Sequence, residues 1–139
     1  MLLPALALAA PDPAPPTPAA EKTVAAAMQV VRDYYAAVSR HDYRTAYALW
    51  HGTQSYAHFR AGYAATKSAR VTFLKPGDAE GAAGSIFVEL PVRVEAVLRS
   101  GKHQGFVGSY TLRRVNDVDG STAAQRRWHI ESAHLKPLP

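Results

Sequence analysis

The chain has 139 residues and a net charge of +5, from sixteen Lys/Arg against eleven Asp/Glu, which is room for one domain of ordinary size. Its apolar fraction of 47% is that of a globular protein able to fill a core. It contains no cysteine, which excludes disulfides, thiolate nucleophiles and Cys-based zinc sites.

Residues 1–10 hold a short apolar run that ends in small residues, with Ala7-Leu8-Ala9 as an A-x-A cleavage pattern. This reads as the tail end of an export signal, so the expected location is periplasmic or secreted. No Lys or Arg precedes the run, so the signal begins upstream or is atypical. At about nine residues the run is far short of the roughly 20 that a transmembrane helix needs. Residues 11–19 are a Pro/Ala-rich tether, because proline supplies no N–H and restricts its neighbours. The domain is expected over residues 20–138.

Thr17-Pro18 predicts an N-cap with proline at the first helical position. Val24, Met28, Val31, Tyr35 and Val38 follow at spacings of four and three, one apolar stripe on a helix of about six turns that ends near Arg40. Asp42 is placed to cap a second helix with Tyr43, Ala46, Tyr47 and Trp50 on one face, broken at His51-Gly52-Thr53. Ser55 is placed to cap a short third helix carrying Tyr56, Phe59 and Tyr63.

After Ala69 the period falls to two. Val71 and Phe73 predict a strand that turns at Lys75-Pro76-Gly77-Asp78, and Gly81 to Gly84 reads as a flexible link. Ile86, Val88, Leu90, Val92, Val94, Ala96 and Leu98 then alternate without a miss, with Glu89, Arg93, Glu95 and Arg99 on the other face. Pro91 predicts an edge position or a bulge. A two-residue turn at Ser100-Gly101 would set Leu98 opposite His103, Val94 opposite Val107, Val92 opposite Ser109 and Leu90 opposite Thr111. That register puts Gly105 on the apolar face and Gly108 on the other. The strand is expected to end near Val115. A polar loop with a turn at Asp119-Gly120 leads to a last strand, 127–136, alternating Trp128, Ile130, Ser132 and His134. The class is therefore α+β: three N-terminal helices packed on a curved four-stranded antiparallel sheet.

Val30-Val31-Arg32-Asp33-Tyr34-Tyr35-Ala36-Ala37-Val38, then Asp42-Tyr43-Arg44-Thr45-Ala46-Tyr47, and the closing Trp128-His129-Ile130 resemble the nuclear transport factor 2-like, cystatin-like superfamily. The resemblance covers about residues 20–138. It implies an α+β cone with a cavity between the long helix and the sheet. That superfamily holds isomerases, cyclases, dehydratases, transport adaptors and secreted domains, so the fold alone does not choose a function. It also implies a possible homodimer through the sheet.

An isomerase of this type needs a carboxylate base in the cavity and acidic donors for an enolate. The resemblance puts Tyr34 or Tyr35 where such enzymes carry one donor. The other is an aspartate on a long strand, and residues 86–115 contain no Asp. Glu89 and Glu95 are expected on the polar face, unless a bulge at Pro91 sets them on opposite faces. Asp33 and Asp42 are explained as a surface charge and a cap. Of His41, His51, His58, His103, His129 and His134, the strand pattern sets only His103 and His134 near apolar neighbours. No H-x-H or H-E-x-x-H spacing occurs, so neither a metal nor any other cofactor is expected. Basic residues concentrate after residue 65, eleven against seven acidic. No ribonucleoprotein motif or basic helix accompanies them, so the expected partner is not nucleic acid. The residues expected to line an apolar pocket are Tyr35, Trp50, Phe59, Tyr63, Tyr110 and Trp128, with Tyr47 beside them. The leading expectation is a non-enzymatic envelope or secreted domain that binds a small apolar or anionic ligand or a protein partner. A small isomerase or lyase using a Tyr/His cavity and a structural dimerisation module are the alternatives.

Overall fold

The computed structural model describes residues 23–52, 54–75, 80–82, 84–115 and 119–139. The signal-like segment, the tether, the helix start expected at Thr17-Pro18, most of the turn at 75–78 and part of the loop at 116–125 lie outside those residues. The described elements are α1 (Val24–Ser39), α2 (Tyr43–Ala48), α3 (Tyr56–Gly62), β1 (Thr66–Phe73), β2 (Glu80–Ala82), β3 (Ser85–Leu98), β4 (His103–Val115) and β5 (His129–Pro137).

Each helix starts where a short polar side chain can satisfy an orphan N–H. Thr23 caps α1, its hydroxyl accepting from the Ala26 N–H at 3.2 Å. Asp42 and Ser55 do the same for α2 and α3. Helix α1 ends on a left-handed His41 (φ 60°), with the His41 N–H donating to Val38 and the Asp42 N–H to Ala37. That closure turns the chain within two residues and delivers Asp42 as the next cap.

Helix α1 lies across β1, tied there by Ser39, whose hydroxyl donates to the Ala69 carbonyl and accepts from the Ala69 N–H. Its buried face is Ala27, Val31, Tyr34, Tyr35, Ala37 and Val38. Val24 and Met28, expected at the head of the stripe, are only half-buried. The face is wider than one stripe, and the adjacent Tyr34 and Tyr35 both go inside.

All strand pairings are antiparallel, in the order β1-β3-β4-β5, with β2 beside the start of β3. The link expected at 81–84 is thus part of a fifth, short strand, turned back at Gly84 (φ 85°). Strand β3 is unbroken at Pro91, where the β3–β4 register runs on without a shift. Pairing with β1 stops at Val92 and pairing with β2 begins at Phe87. The missing proline N–H therefore falls in the gap between two neighbours. Glu89 and Glu95 stay on one face, the outer one, while Val88, Leu90, Val92, Val94 and Ala96 are buried against the helices.

The β3–β4 hairpin corrects the expected register by one residue. The Gly101 N–H donates to the Leu98 carbonyl and the Leu98 N–H to Lys102, with Gly101 at φ 90°. The loop therefore has three residues, a turn plus a left-handed glycine. Val94 faces Phe106, Val92 faces Gly108 and Leu90 faces Tyr110. A one-residue slip exchanges the two faces, so Gly108 and Tyr110 lie on the helix-covered face and Gly105 on the outer one. A Cβ at Gly108 would sit 2.8 Å from the His134 carbonyl carbon and 2.9 Å from Leu135 Cα, so β5 crosses where only glycine leaves room.

A second slip lies in β5. Thr111 pairs with Ser132 and Leu112 with Ile130, leaving Glu131 as an extra residue in a β-bulge. Past the bulge, Ala133 and Leu135 turn toward the core instead of the expected Ser132 and His134. His134 and His103 are both exposed.

Candidate functional site

Beside the helix-covered face, Tyr34 of α1 is the hub of an aromatic cluster. Its ring centroid lies 5.0 Å from Tyr35, 6.2 Å from Trp50 and Phe59, 6.3 Å from Tyr63 and 6.4 Å from Tyr110. Helix α3 supplies Phe59 and, at its C-cap, Tyr63. Trp50 is fixed by backbone bonds on either side of it, because the His51 N–H donates to the Ile130 carbonyl and the Ile130 N–H to Leu49, both at 2.8 Å. The segment after α2 thus forms an isolated parallel bridge to β5.

A cavity of about 360 Å³ opens between these elements, lined by Tyr34, Trp50, Gln54, His58, Phe59, Gly62 and Tyr63. The Tyr34 and Tyr63 hydroxyls hydrogen-bond to each other at its wall, and those of Tyr35 and Tyr110 form a second pair deeper in the core. Burial pushes the Tyr34 phenol far above its usual range, reinforced by the nearby Tyr63 and Tyr110, with a small opposing pull from Trp50. Burial likewise raises Tyr35, Tyr63 and Tyr110. The Trp50 indole N–H is buried and turned toward the Tyr34 hydroxyl, but falls short of full hydrogen-bond geometry. No carboxylate is among the described residues lining this cavity. Of the two β3 carboxylates, Glu95 is on the outer face and accepts from Arg70 at 2.8 and 3.2 Å, which holds its carboxyl below the usual range.

Of the residues expected in a pocket, Trp50, Phe59 and Tyr63 line this cavity. Tyr35 and Tyr110 sit one ring further in, and Trp128 is buried in the core away from the cavity wall. Tyr47 stands behind Phe59, with ring centroids 5.4 Å apart. The lining residues not in that expected set are Tyr34, Gln54, His58 and Gly62. Tyr34 was signalled by its tyrosine neighbour; Gln54 and His58 carry no pattern of their own.

Two further hollows lie among the described residues. One, of about 600 Å³, is lined by Tyr43, Arg44, Tyr56, Ala57, Arg60, Ala61, Ala64 and Arg99. The other, of about 300 Å³, holds His51 and Glu131, paired at 3.1 Å, beside Arg113, Arg114 and His129. No group of three His, Asp or Glu residues suited to a metal ion occurs among the described residues, and none of their helices is long and apolar enough to cross a membrane.

No family model matches the chain, and comparison with curated proteins returns no match. Among solved structures, the chain is similar to a nuclear transport factor 2-like superfamily protein from Salmonella enterica subsp. enterica serovar Typhimurium str. LT2. The likeness has a TM-score of 0.55 at 11% identity and covers 81% of this chain and 91% of that one. At that identity it shows the fold: three helices against an antiparallel sheet in the nuclear transport factor 2-like arrangement.

Proposed function

We propose that this chain is a ligand-binding domain of the cell envelope. On this reading it holds a small, largely apolar molecule with a hydrogen-bond acceptor in the cavity walled by Tyr34, Trp50, Phe59 and Tyr63. The observation that carries it is the Trp50 indole N–H, a buried donor beside the cavity whose approach to the Tyr34 hydroxyl falls short of full hydrogen-bond geometry. An unmade hydrogen bond on a buried group costs about 1–3 kcal/mol, so an acceptor delivered by a ligand recovers it. The Tyr34–Tyr63 pair adds a second donor, since two hydroxyls joined by one hydrogen bond keep one proton free. A cavity of about 360 Å³ is at the small end of ligand sites.

Titration with acetophenone, followed by the Trp50 Nε1–H resonance, tests this. A saturable downfield shift is expected, weakened in Tyr63→Phe and weaker still with toluene, which has no acceptor. A resonance that does not move, or moves equally with toluene, overturns it. The export half of the proposal rests on the apolar run at residues 2–10. Its test is a reporter fusion to residues 1–20 with the upstream codons, and retention in the cytoplasm overturns it.

A second reading, a small isomerase or lyase, is favoured by His58, an imidazole on the same cavity as the two tyrosines. Its test is exchange of the ketone's α-protons in heavy water, lost in His58→Gln. Dimerisation through the outer sheet face has less support, because that face carries the Arg70–Glu95 and Arg93–Glu95 pairs.

A further inference from the structure

Two consecutive helices and a remote turn bring an arginine each to one groove. Arg44 comes from α2, Arg60 from α3, and Arg99 from the turn after β3, whose backbone N–H donates to the Ala65 carbonyl at 2.8 Å and so pins the turn beside the end of α3. Ala57, Ala61 and Ala64 line the same groove, and their small side chains leave it open to about 600 Å³. None of the three arginines forms an ion pair among the described residues. The neighbouring carboxylate, Asp42, is committed to capping α2 and to Arg40. The Arg44 guanidinium lies 3.8 Å from the Tyr56 ring centroid, which holds it flat while leaving its N–H edge available.

Tyr43 forms part of the groove wall, and its ring is held in place by stacking on Tyr63 and His41.

We infer that this groove, separate from the aromatic cavity, is a binding site for a phosphate-bearing anion. One carboxylate is satisfied by a single arginine fork. Three guanidiniums match the several terminal oxygens and multiple charge of a phosphoryl or pyrophosphoryl group.

The test is a titration of the full chain with inorganic pyrophosphate at constant ionic strength, followed by the arginine Nε–H resonances. Saturable shifts at Arg44, Arg60 and Arg99 are expected. Arg60→Gln and Arg99→Gln, both exposed positions, should each weaken binding about ten-fold. Tyr34→Phe should leave it unchanged. Displacement by pyrophosphate of protein bound to phosphatidylglycerol vesicles would assign the phosphate to a lipid headgroup; pyrophosphate binding with no vesicle binding would assign it to a soluble ligand. Sodium chloride producing the same shifts, or wild-type pyrophosphate affinity in Arg60→Gln and Arg99→Gln, would overturn the inference.

Discussion

On the helix-covered face of the sheet, four tyrosine hydroxyls are hidden and paired with one another: Tyr35 with Tyr110 and, at the cavity, Tyr34 with Tyr63. On the outer face of the same strands, Arg70, Glu95 and Arg93 form an ion-paired row across β1 and β3 in water. Inside, a lost partner cannot be replaced by solvent, so each hydroxyl is held by the other. Outside, water substitutes at little cost, so the pairs add little. Mutation and pH should therefore act strongly from one side and weakly from the other.

The largest difference should come with alkali. The four inner phenols ionise above their usual range of about 10 because burial favours the neutral form. A raised pKa in the fold stabilises below the unfolded value, and that contribution is lost as pH rises through and beyond about 10. Tyrosinate absorbance from these four should appear together with loss of the far-ultraviolet dichroism. Ionisation of all seven tyrosines with the fold intact would break the comparison.

Next come the apolar neighbours. Leu90, fully buried, should cost about 2–5 kcal/mol as Leu90→Ala. Glu89→Ala, one residue away and exposed, should stay within about 0.5 kcal/mol in denaturant titration. Equal costs would mean that the β3 faces are assigned the wrong way round. A smaller step separates the paired hydroxyls. Tyr35→Phe leaves the Tyr110 hydroxyl buried and alone, at about 1–3 kcal/mol. Tyr35→Phe with Tyr110→Phe should cost less than the two single changes added. Strict additivity would show that the hydroxyls are not coupled.

How much of this was legible in the sequence depended on how local each signal is. Asp42 and Ser55 could be read as caps because a cap needs only its own side chain and the next turn. The alternation from Ile86 to Leu98 gave the β3 faces for the same reason. Strand register is not local. Gly101 in a left-handed conformation lengthened one loop by a residue and exchanged the faces of β4, while the bulge at Glu131 exchanged those of β5. Both slips hinge on one residue that fits either geometry. Strand β2 was missed because Glu80-Gly81-Ala82 is too short to show a period. The sites divide in the same way. Aromatic residues marked Trp50, Phe59 and Tyr63 as inward, but Arg44, Arg60 and Arg99 meet only through the fold, and as single surface arginines each looks like ordinary solvation.

The smallest effect belongs to the outer row, and its sign can be stated in advance. The hydrogen bonds from Arg70, then its charge, and more weakly Arg93 and His103, favour the ionised Glu95 carboxylate and lower its pKa. A carboxylate lowered in the fold stabilises above its unfolded value of about 4.3, and the contribution is lost as pH falls below that toward the folded value. Glu95 is exposed enough for water and salt to screen the pair. Glu95→Gln should therefore change stability very little at neutral pH, flatten the acid side of the stability profile, and match wild type throughout in about 1 M salt. Thermal unfolding from pH 6 downward, at low and high salt, reads all three. Parallel acid loss in wild type and Glu95→Gln would mean that this pair contributes nothing even at neutral pH, and that the outer face is only a solvated surface.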